Sequence, residues 1–219
     1  MEAIGPLSVA LLKLQLDNLR SSHELVEAAL RLHHKSIDEW YEEQRMIVDE
    51  DEIEEDAEYL EQLLLEQREE ADEAYPWILR ASLLGVGYGI VEYFLTTVCK
   101  QAQHDLVGPK LSDLRGEGIT RAALFLRKVV RMNFPNTTEW QDLTTYGILR
   151  NIALHAQGEV AEHVKLEPIR ALQIRKASFS IDEVESRLRF EKDFIPQFIE
   201  TAETFADQFE EAWRDPRVG

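Results

Sequence analysis

The sequence predicts an all-α fold, a helical bundle of about five to seven helices with a long N-terminal helical extension. Three observations favour this fold class. Glycine and proline together account for only 17 of the 219 residues, so few positions interrupt regular structure. Apolar residues recur at intervals of three or four through most of the chain. Hydrophobic residues make up 44% of the composition, which at this length is enough to form a buried core.

The N-terminal extension is predicted to be mostly helical. Apolar side chains at helical spacing over residues 7–47 predict one long helix, or two helices that separate at Ser21-Ser22, since serine competes for backbone hydrogen bonds. The acidic segment, residues 49–73, follows and is predicted to be helical from about Ile53. It contains 14 acidic residues and one base, so its apolar stripe must pack on another element to offset like-charge repulsion.

The bundle itself is predicted to comprise residues 76–219, after an extension of residues 1–75. Pro76 suits the first turn of a helix because its missing amide would have no partner there. This helix would end near Gln103 and is the most apolar of the chain, which indicates a central position. A basic amphipathic helix is predicted over residues 119–133.

The helix predicted next runs from about Glu139 to His155. Thr138 and Gln141 form a capping-box pattern, in which each side chain satisfies a free backbone amide at the helix start. Residues 164–179 are the only segment that resembles strand sequence, and they would form a short hairpin or an ordered loop.

The last predicted helix begins at Ser180 and ends near Trp213. Ser180 and Glu183 form a second capping-box pattern. Pro196 lies inside this predicted helix, where a proline removes a backbone hydrogen bond and clashes with the preceding turn. We therefore expect Pro196 to kink or split the helix.

Composition excludes several classes of protein. Cys99 is the only cysteine, so no disulfide can form within the chain and a cysteine-based zinc site is not expected. The N-terminus has no basic region ahead of an apolar core, and no stretch of about 18 uninterrupted apolar residues occurs, so neither a signal peptide nor a membrane span is expected. These features predict a cytoplasmic protein. No Gly-rich phosphate loop or metal-ligand pattern is present, so no cofactor and no metal are expected.

The charge of the chain is unevenly distributed. The formal net charge is −18, of which the acidic segment, with 14 acids and one base, contributes −13. Residues 100–176 contain 12 lysines and arginines and 8 acids, a net charge of +4. The strongly acidic total therefore does not exclude nucleic-acid binding in the second half of the chain.

One motif in the second half of the chain contains side chains that could take part in catalysis: Arg150-Asn151-x-x-x-His155. On a helix, Asn151 and His155 share a face because they are four residues apart. Arg150 lies about 140° around the helix from His155, so it can join them only through its long side chain or from a neighbouring protomer. Cleavage of RNA without a metal needs a base, an acid and a cation near the phosphate. Histidine and arginine are suited to these roles.

This motif resembles that of the HEPN superfamily. The hallmark of that superfamily is an arginine, often followed by a polar residue, with a histidine four to six residues after the arginine. The position of the motif, late in a helical bundle and after a long apolar helix, is also similar. The resemblance covers roughly residues 76–213. It implies a metal-independent endoribonuclease that acts on RNA as a homodimer, with two copies of the motif in one cleft. It further implies a toxin or anti-phage effector, with a regulatory protein or antitoxin as a partner.

The resemblance also implies roles for individual residues. His155 would be the general acid or base, Arg150 the phosphate clamp and Asn151 an orienting hydrogen-bond partner. Family members have a polar, often acidic, residue on the earlier apolar helix, and here the candidate is Glu92. A buried Glu92 would need Arg150 or His155 as a partner. The alternative is that Glu92 lies at the solvent edge.

Two other functions stay open from the sequence. The first is a non-catalytic HEPN module that binds a nucleotide or a partner protein. The second is a helical interaction protein that uses the N-terminal helices and the acidic segment to bind a basic partner. The acidic segment itself is interpreted either as a solvated helix or as a shield that covers the basic region near the motif until it is displaced.

Overall fold

The computed structural model describes residues 4–51, 54–104, 106–161, 164–182 and 185–214, and within them it confirms the all-α fold class. The α-helices of these ranges are α1 (Ile4–Asp51), α2 (Glu54–Glu69), α3 (Tyr75–His104), α4 (Gly118–Lys128), α5 (Thr138–His155), α6 (Leu166–Lys176) and α7 (Phe194–Trp213). A π-helical turn, Glu70–Ala74, joins α2 to α3, and a 3-10 turn, Leu111–Asp113, precedes α4. Two short antiparallel strands, β1 (Phe179–Ile181) and β2 (Leu188–Phe190), form a hairpin before α7.

The centre of the bundle is a four-helix arrangement of α1, α3, α5 and α7. Both α3 and α7 pack against α1 and against α5, which places α1 and α5 at diagonal positions. Among the described residues, α7 supplies four of the six fully buried aromatic side chains, since it is amphipathic and its phenylalanines face the core. The fully buried phenylalanines of α7 are Phe194, Phe198, Phe205 and Phe209. The sequence thus places its aromatic residues on the helix that touches all three others.

The two halves of α1 have different environments. Leu12 and Leu16 of the first half are buried in the main core together with α3 and α7, so the predicted extension and the bundle share one core here. In the second half, Ile37 packs with Leu64 of α2 in a separate small cluster. The predicted alternative of a break at Ser21-Ser22 is wrong, because the Ser22 hydroxyl donates to a backbone carbonyl one turn back and the helix continues.

The acidic segment continues into the bundle without a loop. α2, the π-helical turn and α3 form one helical path, along which Pro76 lies in the first turn of α3 as predicted. The path from Glu58 to His104 contains an 18-residue window that is apolar enough, by length and composition, to cross a membrane, and 33% of that window is buried. Core helices of soluble proteins meet the same criterion.

The segment between α5 and α7 differs from the prediction. Most of residues 164–179 forms α6, in which Ile169 and Leu172 are buried one turn apart, and only Phe179 lies in a strand. α6 ends at Ala177, which adopts a left-handed conformation with φ +47°. The prediction missed this helix because its apolar stripe is short, with only two fully buried side chains, and no side-chain cap marks its start.

The predicted start of the last helix is also wrong. Ser180 lies in β1 opposite Arg189, and Glu183, its predicted capping partner, lies outside the described residues. α7 begins only at Phe194, so Pro196 falls in its first turn, where no backbone partner is lost and no kink results.

Two further helix ends were misplaced. The cap of α5 is Thr137 and not Thr138, since the Thr137 hydroxyl accepts from the Trp140 amide. α4 ends at Lys128, before the predicted end at residue 133. Both errors are local. They move a helix end and leave the order of the helices unchanged.

Gly87 of α3 offers a test of this packing. A Cβ atom at Gly87 would lie 2.7 Å from Leu19 Cδ2 and 2.7 Å from Phe198 Cε1, whereas a Cβ atom at Gly89, on the open face, would meet nothing within 4 Å. We expect Gly87→Ala to lower the free energy of unfolding by about 1–3 kcal/mol through overpacking. Gly89→Ala should raise it by up to about 1 kcal/mol, since alanine favours helix. Urea denaturation measures both, and equal effects would contradict the packing described.

Candidate active site

The three motif residues come together at the C-terminal end of α5. Arg150 Nη1 donates to Asn151 Oδ1 at 3.0 Å and lies 3.4 Å from His155 Nε2. The long side chain of Arg150 thus spans the angle around the helix within a single chain. A guanidinium group has only donors, so His155 Nε2 is the acceptor here and the ring proton is on Nδ1.

The end of α5 sets the position of His155. His155 is the last residue of the helix and is exposed, and the chain then turns away through Gln157 and Gly158, which have φ values of +51° and +88°. A Cβ atom at Gly158 would lie 2.8 Å from a ring carbon of Trp77, so the ring of Trp77 covers this turn. Because both φ and space require glycine at 158, the turn fixes where the imidazole emerges.

Small residues bring α3 and α5 close together beneath the motif. The backbone of α3 at Gly85 contacts the side chain of Leu154, whose Cδ1 would lie 3.0 Å from a Cβ atom there. At Gly147 the absence of a side chain leaves room for the hydroxyl of Tyr88. Tyr88 therefore reaches across from α3 to the helix that carries Arg150.

Tyr88 is a site residue that the sequence analysis missed. Burial raises the pKa of its hydroxyl to about 12; the carboxylate of Glu92 also raises it, and the guanidinium of Arg150 lowers it. The hydroxyl therefore stays protonated at neutral pH, within electrostatic range of both groups. The signal was present in the sequence, since Tyr88 lies four residues before Glu92 and shares a face of α3 with it.

Glu92 does not make the predicted pairing with Arg150 or His155. Among the described residues it forms no ion pair or hydrogen bond with either of them; its carboxylate lies beside Gly118 at the start of α4, where a Cβ atom would be 3.4 Å from Oε1. The physical reason is the level of Glu92 along α3. It lies one turn beyond Tyr88, and its carboxylate raises the pKa of the Tyr88 hydroxyl.

Arg150 has one further donor that no described residue satisfies. Its Nε is buried and has no hydrogen-bond partner in the described part of the chain, while Nη1 faces Asn151 and His155. A buried donor without an acceptor costs free energy. The Nε group of Arg150 is therefore suited to bind an anionic oxygen. A charge-assisted hydrogen bond is stronger where little water competes for the donor.

A groove of about 690 Å³ lies on the other side of Trp77, between the π-helical turn and the hairpin. Carboxylates of the acidic segment line it together with Arg80 of α3 and with Arg187 and Arg189 of the hairpin, and the motif residues do not. Glu73 pairs with Arg189 at 3.1 Å, and Asp72 lies 3.5 Å from His34. Among the residues described, no carboxylate of the acidic segment pairs with the motif. The proposed shielding of the motif therefore has no direct contact to support it.

The described ranges contain no group of three or more His, Cys, Asp or Glu side chains arranged to hold a metal ion. In comparisons with protein-family models, with curated proteins and with solved structures, nothing matches this chain. The similarity to the HEPN superfamily therefore rests on the motif and its position in the bundle.

The ionisation of Tyr88 provides a test of the site's geometry. We expect the phenol to lose its proton near pH 12, compared with about 10 for a solvated tyrosine. Because the folded protein favours the neutral form, the stabilisation from this residue is present below pH 10 and is lost as the pH rises towards 12. The measurement is the ultraviolet difference titration of the wild type against Tyr88→Phe. A difference midpoint near pH 10 would mean that the hydroxyl is solvated, in conflict with its position under Gly147.

Proposed function

We propose that this protein is a metal-independent endoribonuclease of the HEPN type with an active site built on Arg150, Asn151 and His155. The observation that carries the proposal is the convergence of these three side chains at the exposed end of α5, with Arg150 Nη1 3.4 Å from His155 Nε2. RNA cleavage without a metal requires a group that binds the phosphate and a group that transfers protons. The guanidinium of Arg150 and the exposed imidazole of His155 are suited to these two tasks.

In the proposed reaction the 2′-hydroxyl oxygen of RNA attacks the adjacent phosphorus while the bond to the 5′-oxygen breaks. The neutral Nε2 of His155 accepts the proton of the 2′-hydroxyl, after Arg150 has turned from the imidazole to the phosphate. The guanidinium then neutralises the charge that develops on the non-bridging oxygens. Asn151 would hold one end of the Arg150 fork. The products are a 2′,3′-cyclic phosphate and a 5′-hydroxyl, the latter formed when an acid supplies the leaving-group proton.

A second copy of the chain would supply that acid, since one imidazole does not readily act as base and acid in the same step. The homodimer would place the two motifs in one cleft. Exposed apolar side chains beside the motif support such a contact: Leu154 is 41% exposed and Val86 58% exposed, on either side of the α3–α5 contact. The face of α3 at Gly89 is also open, which would allow another backbone to approach closely.

The biological role follows from the resemblance alone. A cytoplasmic endoribonuclease of this kind would act as a toxin or anti-phage effector, and a regulatory protein or antitoxin would hold it inactive. The local excess of basic residues in the second half of the chain supports an RNA substrate.

The main test is cleavage of labelled RNA by the purified protein in EDTA. We expect cleavage that leaves 2′,3′-cyclic phosphate ends, and a loss of at least about 100-fold in both His155→Ala and Arg150→Ala. His33→Ala and Arg31→Ala, exposed residues outside both the motif and the basic stretch of residues 100–176, are matched controls and should cleave like the wild type.

Two results would contradict this function. Cleavage that persists in both motif variants would identify a contaminant or another site. Absence of cleavage by every protein, with RNA binding or partner binding retained, would favour the non-catalytic module instead.

The composite cleft predicts a particular response to subunit mixing. If each cleft needs His155 from both copies, an equal mixture of wild type and His155→Ala, after subunit exchange, should show about a quarter of the wild-type activity, since only wild-type pairs are complete. A chain that is active alone would give about half. The readout is the initial cleavage rate at fixed total protein, with His33→Ala as the mixing control.

A further inference from the structure

α1 carries a row of exposed leucines on the side that faces away from the bundle. The exposed fraction of these side chains ranges from 50% to 75%, for Leu7, Leu11, Leu14, Leu25 and Leu32. On the opposite side of the same helix, Leu12 and Leu16 are almost fully buried. α1 therefore has two apolar stripes, and in the single chain only one of them is covered. Contiguous exposed apolar surface of this kind marks an interaction site.

The spacing of the exposed row is that of a coiled coil. Steps of four and three residues connect its positions, which we call the leucine stripe: Leu7, Leu11, Leu14, Asn18, Ser21, Leu25, Ala28 and Leu32. A heptad repeat with apolar residues at its two seam positions directs two helices to wind around each other. In this repeat Asn18 occupies the same type of seam position as Leu11 and Leu25.

We propose that the leucine stripe binds the leucine stripe of a second copy of this chain, as a parallel, in-register two-stranded coiled coil. Asn18 argues for both the occupant and the register. In the parallel arrangement Asn18 faces Asn18 of the other copy, and each amide offers a donor and an acceptor to the other. A register shifted by one heptad would place this amide against Leu11 or Leu25, at the cost of an unsatisfied polar group. In the antiparallel arrangement Asn18 would meet Ser21, but Asp17 would lie beside Glu24 of the other copy, and these like charges repel.

The residues flanking the seam are compatible with self-association. In the parallel arrangement Asp17 faces Ser22 of the other copy, and Glu24 faces Ala29, so no like charges oppose each other. The helix is already formed and held by the bundle, so association does not have to order it. From Leu7 to Leu32 the stripe is roughly 38 Å long.

This contact is separate from the catalytic cleft proposed above. α1 and α5 occupy diagonal positions in the bundle, so the stripe faces away from His155. The inference therefore does not depend on RNA cleavage, and a cross-linking test distinguishes its failure from failure of the proposed function.

Cysteine substitution along the stripe tests the arrangement. We expect Leu11→Cys, Asn18→Cys and Leu25→Cys each to form a disulfide-linked dimer under mild oxidation, because paired seam positions of the same type bring Cα atoms to about 6 Å. The native Cys99 does not compete, since it is buried and burial raises its thiol pKa to about 12. Ile174→Cys, at an 84% exposed position on α6, is the control and should stay monomeric on a non-reducing gel.

Each outcome is decisive. Cross-linking at all three positions supports the parallel register; cross-linking at only one position indicates an antiparallel contact, and cross-linking at none, or equally in the control, overturns the proposal. A second measurement introduces Leu11→Glu and Leu25→Glu into the Asn18→Cys protein. The yield of disulfide-linked dimer should fall at least about 10-fold relative to Asn18→Cys with Ile174→Glu, with an unchanged circular dichroism spectrum. An unchanged yield would also overturn the proposal.

Discussion

The close approach of α3 to its neighbours is the contact on which the other features of this fold depend. At Gly87 the backbone of α3 comes within van der Waals range of Leu19 on α1 and Phe198 on α7. The side chain of Tyr88 on α3 in turn contacts the backbone of α5 at Gly147. A larger residue at either glycine would push two helices apart. Since the three contacts involve different neighbours, they fix the rotation of α3 as well as its distance. That rotation directs Tyr88 towards the helix that carries the motif and Glu92 towards the start of α4.

A polar network around Arg80 attaches the N-terminal end of α3 to its neighbours. Arg80 binds the carboxylate of Glu27 with two nitrogens, at 2.8 and 3.0 Å, and donates to the carbonyl of Phe190 at 2.8 Å. His23 lies 3.0 Å from the carbonyl of Lys192. These groups link α1, α3 and the hairpin, so the long first helix is attached to the bundle by polar as well as apolar contacts. Removal of one partner would leave a buried charge without compensation.

The charges of the acidic segment and of the motif lie in different parts of the molecule. The acidic segment forms ion pairs with α1 and with the hairpin. Its Arg68 pairs with Asp38 of α1, and its Glu73 pairs with Arg189 of β2. The motif lies at the far end of α5, where Arg150 faces uncharged acceptors and an exposed imidazole. The net charge of −18 therefore describes the extension more than the candidate site.

The sequence by itself determined the helical class, the place of Pro76 in the first turn of α3 and the end of α5 at His155, because these follow from periodicity and from residues adjacent in the chain. It also determined that Asn151 and His155 share a face. Only the tertiary structure decided that Tyr88 packs against Gly147 of the motif helix, and that residues after 164 form a helix before the hairpin. Contacts between residues distant in the chain leave no local pattern, and the short apolar stripe of α6 does not distinguish helix from strand until the core it packs against is known.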